Sequence, residues 1–299
     1  MRYLLLLLLC GLTVGLQTFA QVETAGAPDG EREVQATDSL RAKAMAGDLE
    51  SMNYLGYLLI SGAEGVGRDV DEGLGWLEKA AEAGDVKAVS NLGWLYLQGE
   101  LVEKDLGKAV EWISKAAGAG LPVAQSTLGD LYRDGTGVAR DSLVADSLYR
   151  EAFERGLADA GFKLYDLNEE HYASLPPAEK VKTGKYFYFS SIPSVGVRLF
   201  YMAADEGDSD ALALLGDAYT RAVGVPYDHA LSLKYYIEAA RAGNPSSIFV
   251  LAELLDIFPD ALKGNEEWAA ISDDPSYWYE RAAEAGVTDS VTATDLLFK

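Results

Sequence analysis

The chain has 299 residues, 49% of them hydrophobic, with 47 acidic against 25 basic side chains and a net charge of −22. That balance argues against nucleic acid or an anionic membrane surface as partner; it suits partners with basic surfaces, or solubility alone. With two histidines and one cysteine, little is available for metal or thiol chemistry.

The N-terminus reads MRYLLLLLLCGLTVGLQTFAQ. Arg2 precedes an apolar run from Leu4 to Leu16, shorter than the about 20 residues a bilayer span needs. Thr18-Phe19-Ala20 then has the small-x-small form of a cleavage site. Residues 1–20 are therefore predicted as a secretory signal peptide, with export to the periplasm and no membrane span after cleavage. Removal takes away Arg2 and Cys10, leaving 24 basic against 47 acidic residues, a net of −23, and no disulfide. Residues 21–36, QVETAGAPDGEREVQA, read as a polar linker.

From residue 37 the chain repeats itself. Phrases of the type KAAEAGD recur, and their glycines fall at Gly47, Gly84, Gly120, Gly156, Gly207, Gly243 and Gly286, spaced by 37, 36, 36, 51, 36 and 43 residues. Eight residues after each of the first six stands a leucine: Leu55, Leu92, Leu128, Leu164, Leu215 and Leu251. A glycine or alanine follows it everywhere but in repeat four, which has Tyr165. Eight residues before the closing glycine stands a large apolar side chain: Trp76, Trp112, Leu148, Leu199, Tyr235 and Trp278.

Each unit reads as two helices. Helix A carries the Leu-Gly pair, a Gly-rich turn follows, and helix B carries the large residue and an Ala pair on one face. The marker glycine suits the left-handed position that ends helix B. Glycine inside helix A costs perhaps 1 kcal/mol in propensity; its compensation is close approach of a neighbouring helix. One unit cannot bury its apolar face alone, whereas stacked units can. Trp112 is expected to be buried between helices.

Leu128-Gly129, Tyr132, Gly135, Gly137-Val138 and Asp141 in repeat three, with Ala109, Trp112, Lys115-Ala116-Ala117 and Gly120 in repeat two, resemble the Sel-one-like repeat (SLR) family, relatives of the tetratricopeptide repeat. The resemblance covers about residues 37–287. It implies an all-α, right-handed α/α solenoid of about six helix pairs, forming a single domain over 37–299, and a protein-binding scaffold or adaptor. Exported bacterial members include neutralising partners of secreted toxins, among them type VI phospholipase effectors.

Repeat four departs from the period. It is 15 residues longer than its 36-residue neighbours, and its turn becomes DLNEEHYASLPPAEKVKTGKYFYFSSIPS, an insertion over about 168–194. Pro176-Pro177 and Pro193 should break any continuous helix. The insertion either binds a partner or forms a local core. In an extended conformation Phe187 and Phe189 would pack inward while Tyr186 and Tyr188 face out. His171 and Tyr172 join these four rings as candidate partner-binding residues. A second insertion, about 257–275, carries Trp268 as a gap filler, and residues 288–299 are expected to cap the stack.

In tetratricopeptide-like solenoids helix A lines the concave face. The column after the helix A glycine holds Tyr57, Trp94, Asp130 and Asp217, a candidate groove that is aromatic at one end and acidic at the other. The bland alternative is a mixture of packing and solvated positions.

Motifs for chemistry are missing. There is no His-x-x-x-His, Cys-x-x-Cys, Gly-x-Ser-x-Gly, Ser-x-x-Lys or Walker-type loop. GVGRDVDEG lacks calcium-loop spacing. No catalytic residue, cofactor or metal is expected. The reading is an exported protein-binding protein, most concretely an immunity protein that blocks a toxic secreted effector. A periplasmic scaffold or regulatory adaptor is the alternative.

Overall fold

The computed structural model describes residues 29–63, 66–263, 268 and 270–298. The expected signal peptide lies outside them. Among the described residues there are fifteen helices and no strand, and no helix is long and apolar enough to cross a membrane. The chain divides into two compact units, with the boundary between Arg155 and Gly156.

The first unit contains α1 (Asp29–Met45), α2 (Leu49–Ser61), α3 (Val70–Glu82), α4 (Val86–Gln98), α5 (Leu106–Gly118), α6 (Pro122–Asp134) and α7 (Ser142–Glu154). Residues 29–36, expected as linker, thus belong to a helix. The pairs α2/α3, α4/α5 and α6/α7 are the first three repeats. All seven marker glycines have φ between 82° and 96°. This is the left-handed conformation that lets each helix B end and the chain turn.

Helix starts are fixed by carboxylates. Asp48, Asp69, Asp85, Asp105 and Asp141 each accept a backbone N–H of the first turn. Such a cap contributes typically about 1 kcal/mol, and its charge suits the positive helix end. A core of Leu77, Leu92, Ile113, Ala116 and Leu128 runs through these pairs. Trp112 differs from expectation. It is only partly buried, with the Lys115 ammonium 4.0 Å from its ring centroid.

What fills the space beside each helix A glycine is the residue seven before the marker. A Cβ on Gly56 would stand 2.8 Å from Leu77 Cγ, one on Gly93 2.6 Å from Ile113 Cγ1, and one on Gly129 2.6 Å from Tyr149 Cε1. Leu77, Ile113 and Tyr149 are each no more than 2% exposed.

The second unit contains α8 (Ala158–Ser174), α9 (Pro177–Tyr188), α10 (Pro193–Asp205), α11 (Ser209–Arg221), α12 (His229–Arg241), α13 (Pro245–Ile257), α14 (Pro275–Glu284) and α15 (Ser290–Phe298). Residues 168–194 are therefore helical apart from two short turns. Pro177 and Pro193 are the first residues of α9 and α10, where a missing N–H costs nothing and the fixed φ favours a helix start. They begin helices rather than abolish them.

The extra length also shifts the repeat register. Beside Phe200, seven before its marker Gly207, stands Gly184: a Cβ there would lie 2.6 Å from Phe200 Cε1. Gly216 meets Tyr236 in the same way, at 3.0 Å. The helix A partner of α10 is therefore α9, and α8, with Leu164 and Tyr165 buried, is an additional helix. Pairs α11/α12 and α13/α14 complete the unit; α15 packs on α13 through Ala293, while its Leu297 joins the core of α9, α10 and α11. In the second insertion Leu262 is buried and Trp268 packs against the same core.

Candidate functional site

Four consecutive rings on a helix point in four directions, about 100° apart. In α9 and at its C-cap, Phe187 is 0% and Tyr188 3% exposed, whereas Tyr186 is 41% and Phe189 58% exposed. The expected alternation, phenylalanines in and tyrosines out, fails at two of the four positions because the backbone is helical. Phe187 packs edge-on against Tyr172 of α8 at 6.2 Å. Tyr188 meets the Phe200 ring at 5.3 Å and donates its hydroxyl to Asp217 at 3.0 Å.

These contacts reassign Asp217. Its side chain is buried, so burial raises its pKa above the ordinary carboxylate value; Arg221 and the Tyr188 hydroxyl oppose the shift. Burial likewise raises the Tyr188 hydroxyl, and the nearby Asp217 charge adds to it. Asp130 has the same arrangement in the first unit. It accepts the Tyr149 hydroxyl at 2.8 Å and lies 3.3 Å from Arg133. Asp130 braces Tyr149, the tyrosine beside the helix A glycine Gly129, and Asp217 braces Tyr188 of α9, so neither is a free carboxylate of a groove. Tyr57 and Trp94 are half-buried in the first unit, where Asn91 Nδ2 donates to Asn53 Oδ1 at 2.8 Å. His171 is exposed at the end of α8, while Tyr172 is buried. The ten candidate residues do not converge on one site.

A different set does converge. Lys182, Lys185 and Tyr186 of α9 and Phe189 at its C-cap fall at i, i+3, i+4 and i+7, one stripe. They line an open cleft of about 710 Å³ with Asp208, Asp210 and Phe298. Phe189 meets Phe298 edge-on at 5.5 Å, and the Arg221 guanidinium lies 5.8 Å from the Phe298 centroid. Neither the lysines nor Phe298 stood out in the sequence. The helical spacing would have marked the lysines had the proline-flanked stretch been read as a helix. Phe298 lies 109 residues beyond Phe189 and carries no local signal. Among the described residues no cluster of His, Cys, Asp or Glu has the form of a metal site.

The Sel1 repeat matches residues 49–85, 86–121, 122–157, 209–244 and 277–287 of the chain. The interval from 158 to 208 left between matches is the one that holds α8, α9 and α10. No curated protein matches the sequence. Among solved structures, a Sel1 repeat protein from Oxalobacter formigenes is 27% identical, with 85% of this chain and 92% of that one covered at a TM-score of 0.41. A protective antigen of uropathogenic Escherichia coli with an SLR fold is 26% identical; the match covers 95% of this chain but 62% of that one, at a TM-score of 0.43. An immunity protein from Pseudomonas aeruginosa is 19% identical, covering 71% and 80% at a TM-score of 0.26. The assignment rests on the repeats themselves: five matched segments, with capping aspartates and left-handed marker glycines in register, cover more than half of the sequence, and the chain belongs to the Sel1 repeat family.

Proposed function

We propose that this protein is exported to the periplasm and works by binding another protein, most concretely as an immunity protein that captures and inhibits a toxic secreted effector such as a type VI phospholipase. Sel1 repeats are generally non-catalytic scaffolds for protein interaction. The observation that carries the reading is the cleft of the second unit. There Tyr186 and Phe189 stand 41% and 58% exposed beside Phe298, in a chain otherwise rich in charge. Exposed rings with few torsions to freeze are what interface hot spots are made of. The leader sequence supports export, and the net charge of −22 supports a partner whose surface is basic around the contact.

The test is affinity capture from periplasmic extract with the wild type and with a Tyr186→Ala/Phe189→Ser variant, followed by an activity assay on the captured protein. Capture by the wild type, loss on the variant and inhibition of a lytic activity support the proposal. A captured protein without toxic activity moves the reading to scaffold or adaptor. Equal capture by both proteins removes the cleft from the interface.

A further inference from the structure

We infer that the cleft of the second unit receives an acidic segment of the partner that also carries a bulky apolar side chain. The inference rests on the protein-binding reading and adds the chemistry of what enters the cleft. Net charge alone would suggest a basic occupant, but the donors left open in the cleft point the other way.

Each of its two carboxylates has one oxygen engaged. Asp208 caps α11, accepting the N–H groups of Asp210 and Ala211 at 3.0 and 2.9 Å. Asp210 accepts the Asn244 side-chain amide at 2.7 Å. The lysines are not committed in this way. Lys182 is 78% exposed at its side chain and meets Glu179 only at 3.6 Å, an exposed pair that a better-placed carboxylate can replace. The Lys185 ammonium has no ion pair or hydrogen bond among the described residues. Lys180, the third cation of α9, is buried against Glu206 and takes no part.

Asp208 and Asp210 keep their charge, but the donors left open to a partner in the cleft are the two ammonium groups. Lys185 stands one helical turn from Phe189, which with Phe298 and Val181 makes an apolar floor. A carboxylate held by Lys182 and Lys185 leaves a neighbouring aromatic or aliphatic side chain over Phe189. The acidity of the rest of the molecule does not cancel this contact, because exposed charges beyond about 8–10 Å are largely screened at physiological salt.

The test uses the exported protein and three fluorescein-labelled peptides, read by fluorescence anisotropy at physiological salt. One alternates Asp and Glu with Phe and Leu. In the second, Lys replaces the acids; in the third, Ser replaces the apolar residues. The first is expected to bind at least about tenfold more tightly than either of the others. Lys182→Glu/Lys185→Glu and, separately, Phe189→Ser should each weaken it at least about tenfold while thermal unfolding stays at the wild-type midpoint. Equal or tighter binding of the basic peptide, binding of none of the three, or indifference to the lysine reversal would each overturn the inference. So would lysine-dependent co-sedimentation with phosphatidylglycerol vesicles in place of peptide binding, which would make the cleft a lipid contact. A partner captured from extract by the lysine variant but lost by Tyr186→Ala/Phe189→Ser leaves the protein-binding reading intact and overturns only the acidic occupant.

Discussion

Gly196 and Gly75 invite the same substitution with opposite outcomes. Both are helical glycines, and alanine in a helix interior is favoured over glycine by about 1 kcal/mol. At Gly75 in α3 a new Cβ meets nothing within 4 Å, so Gly75→Ala should stabilise by about 0.5–1 kcal/mol. At Gly196 in α10 the Cβ would stand 2.5 Å from Gly184 O and 2.6 Å from Tyr188 N. Both are backbone atoms, which no rotamer change can move. Reaching an ordinary contact of 3.4 Å requires the two helices to part by about 0.9 Å at that point. The interface that must open buries Phe187, Tyr188 and Phe200. Overpacking in well-packed sites costs about 1–3 kcal/mol, and a clash with backbone belongs at the upper end. After the propensity gain Gly196→Ala should be destabilising by about 2 kcal/mol. Urea titration followed by far-ultraviolet circular dichroism measures both variants. A Gly196→Ala protein as stable as wild type would refute the α9/α10 packing, and with it the assignment of α9 as a helix A.

Asp217→Asn keeps an acceptor for the Tyr188 hydroxyl and removes a carboxylate whose folded-state pKa is raised by burial. A raised acid favours the fold when protonated, and that contribution is lost as pH rises through the folded pKa. The variant should therefore gain on wild type at neutral pH, with the gain fading toward the ordinary value of 3.8 in melts taken across pH. Phe187→Ala should cost about 3–5 kcal/mol, as for other fully buried rings, whereas Tyr186→Ala should stay within about 0.5 kcal/mol, since the residue is exposed; paired thermal melts decide. Glu206→Gln strands the buried Lys180 and should destabilise by about 1–2 kcal/mol, below the about 3–5 of a fully buried pair because Glu206 is half-exposed, while Lys180→Met should be neutral or stabilising in the same denaturation assay.

The repeat was legible because its signals are local and recur. Marker glycines, the leucine eight residues later and the alanine pairs each answer a steric demand that every unit meets in the same way. The residue seven before the marker was less visible, since it is Leu, Ile, Tyr or Phe according to the repeat. What those residues share is a position over a missing Cβ, and only packing reveals it. Repeat four misled for a specific reason. Leu164 falls at the offset expected of a helix A leucine, so α8 took the place of α9 in the count, and the prolines concealed α9 because a proline at a helix start and one in a helix interior look alike in sequence. Once α9 is a helix, the placement of all four rings follows from its 100° step.

The net charge needs the same separation of structural from functional causes. Asp48, Asp69, Asp85, Asp105, Asp141, Asp208, Asp228 and Asp274 are all helix N-caps. A solenoid of short helices needs a cap every fifteen to twenty residues or so, and aspartate serves each positive helix end best. Eight of the 47 acidic residues therefore follow from the number of helices in the fold, whatever the protein binds. A capping carboxylate already accepts backbone N–H groups and has less to offer a partner. Groups open to a new partner are the better guide to recognition, and in the cleft these are the Lys185 ammonium and Lys182, which Glu179 holds only through an exposed pair. Around the cleft the summed acidity governs how fast a partner arrives and from which side, while the two lysines and the Phe189–Phe298 pair govern what stays.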